Sequence, residues 1–138
     1  QSSREGMRSC MKDALKDAQL NPENVDYVSA HATATLQGDQ AEAAAIGDVF
    51  GDQVPVSSLK GYIGHTLGAS GAIELAASLE MIAQSIIYPT LNLDNIDPQC
   101  NQITHVREPL KKDIRVVLKN CFAFGGINAA LIVRKLNN

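Results

Sequence analysis

The sequence predicts an α/β protein, a mixed sheet with helices packed on it. Three observations carry that expectation. Short apolar segments at residues 25–30 and 54–58 alternate with longer segments of helical spacing. An Ala-rich stretch from about 67 to 85 reads as a buried helix. Two further apolar runs, 114–122 and 128–135, flank Gly125-Gly126 and read as an antiparallel strand pair.

In order, Ser2 or Ser3 is placed to cap a helix running to about Gln19, with apolar or small residues at Met7, Met11, Ala14, Leu15 and Ala18. Asn21-Pro22 stops it. Val-Asp-Tyr-Val-Ser-Ala at 25–30 is the first strand, ending in His31-Ala32-Thr33-Ala34-Thr35. Gly38-Asp39 opens a second helix over about 39–50, closed by Gly51-Asp52, and 54–58 is the next strand. A glycine-rich loop then leads into the Ala-rich helix. Residues 88–105 form a long connection with turn signals at Pro89, Asp97 and Pro98, and a loop of that length is more often functional or packed across a surface than idle. The order is α-β-α-β-α, a long loop, then β-β. The only polar tail is Asn137-Asn138.

Composition narrows the function classes. The 138 residues suffice for one compact domain, with 45% hydrophobic residues, 20% charged residues and a formal net charge of −3. There is neither the apolar poverty of a disordered chain nor a basic excess for nucleic acid. With 4% aromatic residues and no Trp, stacking on bases is disfavoured. The three cysteines Cys10, Cys100 and Cys121 are odd in number and far apart, which favours a reducing, cytoplasmic setting over a disulfide framework. Glu74 and Glu80 interrupt the apolar stretch 67–87, so a core helix is expected rather than a membrane span. No signal peptide is visible, and a first residue of Gln1 makes a fragment the expectation.

Three clusters bear chemistry. In the first, His31 lies just past a strand and is followed by Thr33 and Thr35, whose hydroxyls can bond local backbone and hold the turn, then by Gly38, Asp39 and Glu42. The second is the loop Ser57-Ser58-Leu59-Lys60-Gly61-Tyr62-Ile63-Gly64-His65, with glycines at 61, 64, 68 and 71 around Lys60 and His65. Glycine permits positive φ or close backbone approach there. Fixed N–H groups and a helix start at the same place favour negative charge. Lys60 sits in an apolar setting and needs a charge partner if buried, for which Glu42 is the expected one. The third cluster is Asn120-Cys121-Phe122-Ala123-Phe124-Gly125-Gly126-Ile127-Asn128, where glycines after an aromatic either expose N–H groups to an oxyanion or simply make a turn.

Three roles compete for these residues. As metal ligands, His31 and His65 lack a third partner at ligand spacing, and His105 sits apart in the long loop. As a phosphate cradle, the loop lacks the GxxxxGK[ST] order, because Lys60 precedes the glycines. As hydrogen-bond donors to a carbonyl or enolate oxygen, two imidazoles are well suited, and this role fits best.

Taken together, the clusters resemble the C-terminal half of β-ketoacyl-acyl carrier protein synthases, the condensing enzymes of fatty-acid and polyketide synthesis. The pattern H-[GA]-T-x-T-x-x-G-D-x-x-E is met by His31, Thr33, Thr35, Gly38, Asp39 and Glu42. The pattern K-x-x-x-G-H-x-x-G-A-x-G is met by Lys60, Gly64, His65, Gly68, Ala69 and Gly71. The ending N-S-F-G-F-G-G-T-N is met by Asn120, Phe122, Phe124, Gly125, Gly126 and Asn128, and Tyr88-Pro89-Thr90-Leu91-Asn92 is similar to the I-P-P-T-x-N segment. The likeness runs in order along essentially the whole chain.

This resemblance implies a thiolase-like half-domain over residues 1–138, with a mixed sheet of five-stranded type packed with helices, and a missing N-terminal half carrying the nucleophilic cysteine. It implies decarboxylative Claisen condensation: an acyl group passes from acyl carrier protein to that cysteine, and malonyl-acyl carrier protein loses CO2 to give the attacking enolate. By the same resemblance His31 and His65 bond the malonyl thioester carbonyl, and Lys60 orients the site with Glu42, Thr33 and Thr35 in support. The Phe124 N–H is half of an oxyanion hole and its ring a gate. No metal or redox cofactor is implied, and the full enzyme is expected as a homodimer without nucleic-acid or membrane partners.

The departures are Ala32 and Ala34, where Gly or Ser is common and the change reads as mild, and Cys121, Ala123 and Ile127 in the last motif. Ala123 is expected to stiffen the turn beside Phe124. None of the three cysteines is expected in a strand-to-helix turn, so the chain alone is expected to be inactive. Two rivals are a non-catalytic subunit of chain-length-factor type that shapes a partner's pocket, and a free-standing binding module. The second is disfavoured, because half of a two-half fold exposes an apolar face.

Overall fold

The computed structural model of the chain describes residues 3–136, apart from the side chain of Phe124. The alternative cap Ser2 and the tail Asn137-Asn138 lie outside the described residues. Helix α1 spans Arg4–Asp17, and Ser3 caps it: the Ser3 Oγ accepts the Gly6 N–H at 3.3 Å. Its Met7, Met11 and Leu15 recur every four residues and are all buried. Strand β1 is Tyr27–Ser29, α2 is Leu36–Phe50 and β2 is Pro55–Ser57. A one-turn helix α3, Lys60–Ile63, forms inside what the sequence presents as loop, and α4 runs Ser70–Gln84 after a 3₁₀ turn at Leu67–Ala69. The remaining strands are β3 (Ile86–Ile87), β4 (Thr104–His105), β5 (Leu110–Lys111), β6 (Val116–Phe122) and β7 (Asn128–Arg134).

The main sheet has the order β4-β2-β1-β6-β7. Strands β4, β2, β1 and β6 are parallel, and β7 returns antiparallel to β6, pairing Phe122 with Asn128. Strand β4 is drawn from the connection expected to be loop, and its two residues are too few to show alternation. Strands β3 and β5 make a separate two-stranded ribbon.

The pleat divides the core. Val28, Val56, Leu118 and Phe122 face α1 and α2 in one cluster, which includes Met11, Ile46 and Phe50. Tyr27 and Val117 face the other way, with Met81 and Ile82 of α4. Two helices thus cover one face and one covers the other. The outer side of α4 stays apolar and exposed, at Ala72, Ile73, Ala76, Leu79 and Ala83, with Leu79 51% exposed. Among the described residues, no helix is long and apolar enough to cross a membrane.

Candidate active site

Parallel strands end at the same edge of a sheet, and ligands of such sheets gather at the carboxyl ends. His31 follows β1, Lys60 and His65 follow β2, and Phe122 ends β6, so all four reach one edge. The His31 and His65 rings stand edge to face, centroids 5.4 Å apart and 86° between planes. The Phe122 ring also meets His31, with centroids 6.1 Å apart and 70° between planes. Thus all three sequence clusters converge, the third through Phe122 and through Asn120, whose Nδ2 donates to Glu42.

Each histidine is fixed differently. The Leu67 N–H donates to His65 Nδ1 at 3.3 Å, and Ser70 Oγ lies 3.1 Å from the same nitrogen. An N–H can donate only to a lone pair, so the His65 ring proton is on Nε2, free to be offered outward. Leu67 adopts φ 52 to reach that bond, a left-handed conformation unusual for a branched residue. His31 is held through its backbone: its N–H donates to Glu42 Oε1 at 2.8 Å, and the Ala32 N–H donates to Glu42 Oε2 at 2.7 Å. Burial pushes the His31 pKa down from 6.5 to about 4, helped by the Lys60 and Lys119 ammoniums and opposed by Glu74. The ring is therefore neutral near pH 7 and able to donate a hydrogen bond without carrying charge.

Glu42 is not the partner of Lys60. Its oxygens are taken by the two backbone N–H groups and by Asn120 Nδ2 at 3.1 Å. Lys60 Nζ instead meets Glu74 Oε1 at 2.5 Å, and Lys119 Nζ meets Glu74 Oε2 at 2.6 Å. The three side chains are 7%, 0% and 3% exposed, so one buried carboxylate joins two buried ammoniums. Glu42 is one helix over, on α2, whereas Glu74 on α4 shares the sheet face of Lys119. The sequence reading passed over Glu74 and Lys119 as site residues. Both had a signal: each is a charge inside an apolar run, one in a helix and one mid-strand, where burial demands a partner.

The supporting residues sit as follows. Thr33 and Thr35 hydroxyls lie 3.2 Å from one another rather than bonding backbone, and Thr35 Oγ1 packs where a side chain on Gly38 would stand. Asp39, in the first turn of α2, has its carboxyl raised by burial and by Glu42, partly offset by the N–H groups of Ala34 and Thr33. Ala32 and Ala34 are not mild departures: both are left-handed, at φ 27 and φ 62, a conformation glycine adopts freely and alanine resists.

Of the four loop glycines, two are required. A Cβ on Gly61 would stand 2.9 Å from the Leu91 carbonyl oxygen, and Gly64 has φ 71. The approach to Leu91 comes from the long connection, which is tied down where the Ser58 N–H donates to Thr90 Oγ1 at 3.0 Å. That connection walls a cavity of about 360 Å3 against α2, bordered by Leu36, Asp39, Ile46, Leu93 and Ile96. His105 closes part of it, with Nε2 2.7 Å from the Cys100 carbonyl.

At the β6–β7 turn, Gly125 and Gly126 have φ 84 and φ 80, and the Ala123 N–H donates to the Ile127 carbonyl at 2.8 Å. Ala123 is extended at φ −111, so its methyl sits without strain. The Phe124 backbone starts this turn, while its ring, expected to act as a gate, lies outside the described side chains. Cys10 is inside α1, Cys100 ends a 3₁₀ turn and Cys121 is in β6. All three are free thiols, and burial raises the pKa of Cys10 and Cys100, the reverse of an activated nucleophile.

Two imidazoles paired at the carboxyl ends of a parallel sheet covered on both faces define a candidate active site, and comparison with known proteins gives the family. Residues 1–94 match the model of the β-ketoacyl synthase C-terminal domain. The chain is 42% identical over 135 residues to 3-oxoacyl-[acyl-carrier-protein] synthase 2 of Coxiella burnetii, covering 96% of this chain and 33% of that one. A β-ketoacyl synthase crystal structure from Burkholderia phymatum superposes with TM-score 0.96 at 44% identity, over 99% of this chain and 34% of that one. A type II polyketide ketosynthase solved with its acyl carrier protein superposes with TM-score 0.90 at 35% identity, over 97% and 34%. The chain belongs to the β-ketoacyl synthase family, as its C-terminal domain, and its fold is thiolase-like. It spans about a third of the length of the relatives it matches.

Proposed function

We propose that this chain is the C-terminal part of a 3-oxoacyl-acyl carrier protein synthase, an acyltransferase that extends acyl chains by decarboxylative Claisen condensation. The observation that carries the reading is the perpendicular pair His31 and His65, 5.4 Å apart at the carboxyl ends of parallel strands. Both imidazoles donate N–H to the thioester carbonyl of malonyl-acyl carrier protein. As the bond from the α-carbon to the carboxylate breaks, its electron pair moves into an enolate whose oxygen these donors stabilise, and CO2 leaves. The enolate carbon then bonds the acyl carbon held on a cysteine, and that thiolate departs. Neutral donors suit the step, because a charged imidazolium tends to give up its proton to the enolate.

Lys60 keeps the electrostatics of the pair through Glu74, and Glu42 holds the His31 backbone. The Phe124 N–H serves the acyl oxyanion. The nucleophilic cysteine belongs to an N-terminal half, for which the exposed outer side of α4, with Ile73 and Leu79, supplies an apolar seat. The complete enzyme forms a homodimer, works in the cytoplasm and takes its substrates on acyl carrier protein, as the polyketide relative does in its complex.

The test follows CO2 release from malonyl-acyl carrier protein by this chain and by the full-length protein, with and without an acyl-carrier primer. Release by the full-length protein alone supports the reading. Release by neither returns the non-catalytic subunit, and release by this chain alone overturns the division of the site.

A further inference from the structure

We infer that Lys119 is a positioning residue of the histidine pair: a buried ammonium that locks Glu74 from the side opposite Lys60 and holds the charge balance behind His31. The inference rests on the reading of His31 as a neutral hydrogen-bond donor. Lys119 projects from β6 toward α4, where Nζ lies 2.6 Å from Glu74 Oε2 while Lys60 Nζ takes Oε1 at 2.5 Å. The same Nζ donates to the carbonyl of Asn120. Asn120 in turn donates through Nδ2 to Glu42 Oε1, the atom that accepts the His31 N–H. One ammonium therefore reaches the pair by two routes, through Glu74 to Lys60 and through Asn120 and Glu42 to the His31 backbone.

A single ammonium is enough to balance Glu74. Placing a second one here costs desolvation, and burial indeed pushes the Lys119 pKa down against the upward pull of Glu74. The charged and titratable groups around His31 are Glu42 and Asp39 on α2, Lys60 and His65 after β2, Glu74 on α4 and Lys119 on β6. Of these, Lys60, Lys119 and His65 oppose a proton on His31, after burial itself, and Glu74 favours one. Without Lys119, Glu74 faces one cation instead of two, and its field at His31 is less screened. The Glu74 carboxylate is also freed on one side, so Lys60 can follow it.

The experiment uses the full-length protein with Lys119→Met, Lys119→Gln and Lys119→Arg. His31 is titrated by NMR on labelled imidazoles, and CO2 release from malonyl-acyl carrier protein is followed against pH. The Met and Gln variants are expected to move the His31 midpoint upward from about 4 toward 6.5, with Arg restoring it, and the acid limb of the rate profile moving in parallel. An unchanged midpoint in a folded Met or Gln variant overturns the inference. So does folding only with a cation at 119, which makes the residue structural. A midpoint that moves in the variants, while the wild-type protein itself releases no CO2, supports the inference and removes the reaction reading instead.

Discussion

Glu42 grips His31 by its main chain, with Oε1 accepting the His31 N–H at 2.8 Å and Oε2 the next N–H, of Ala32, at 2.7 Å. Two backbone donors at the end of β1 are thereby satisfied by one carboxylate 3% exposed. Glu42→Ala strands both donors and Asn120 Nδ2 in the interior and is expected to destabilise the full-length protein by about 2–4 kcal/mol. Glu42→Gln retains one acceptor and loses less. Urea unfolding of the two variants checks the order, and equal losses would contradict it.

The Glu74 cluster predicts an asymmetry. Glu74→Ala leaves two buried ammoniums without a counter-charge, an expected loss of roughly 3–5 kcal/mol. Lys60→Met leaves Glu74 paired with Lys119 and is expected to cost less, while still slowing decarboxylation. Denaturation midpoints and single-turnover CO2 release separate the two effects. A larger loss from Lys60→Met than from Glu74→Ala would mean that Lys60 has another partner.

Ala34 is exposed and left-handed at φ 62. Relief of the methyl clash outweighs the added freedom of glycine in the unfolded chain, so Ala34→Gly is expected to stabilise by about 0.5–1 kcal/mol. A shift of the urea midpoint to lower concentration would refute it.

His31 titrates at about 4 in the folded chain against 6.5 ordinarily, so between those pH values the unfolded chain binds a proton that the folded chain refuses. The contribution is fully present above pH 6.5 and lost as pH falls through about 4, with a slope of at most about 1.4 kcal/mol per pH unit. The stability difference between wild type and His31→Asn should therefore narrow on acidification across this window. Parallel curves would place the His31 titration elsewhere.

Much of this was legible in the sequence, for physical reasons that differ by residue. The helices at Met7, Met11 and Leu15 and along the Ala-rich stretch declare themselves by spacing, and the β6–β7 hairpin by its paired glycines. His31 is readable because it sits just past a strand, and His65 because it sits among the loop glycines. Strand β4 is too short to carry a pattern. The one-turn α3 hides behind Gly61 and Gly64. Motif membership points Lys60 to Glu42, because Glu42 belongs to a site motif and Glu74 does not, whereas sheet pleat decides the matter: Lys119 and Glu74 lie on the α4 face, and Asn120 and Glu42 on the α2 face. The strain at Ala32 and Ala34 needs φ angles, which no spacing reveals.

The most direct test of the central claim separates two half-reactions in the full-length protein carrying His65→Ala. Acyl transfer from acyl carrier protein to the cysteine is measured alongside CO2 release from malonyl-acyl carrier protein. Loss of a hydrogen-bond donor to the developing enolate is expected to lower decarboxylation by about 10²–10³-fold and leave acyl transfer largely intact. Loss of acyl transfer with decarboxylation preserved would contradict the role of the histidine pair.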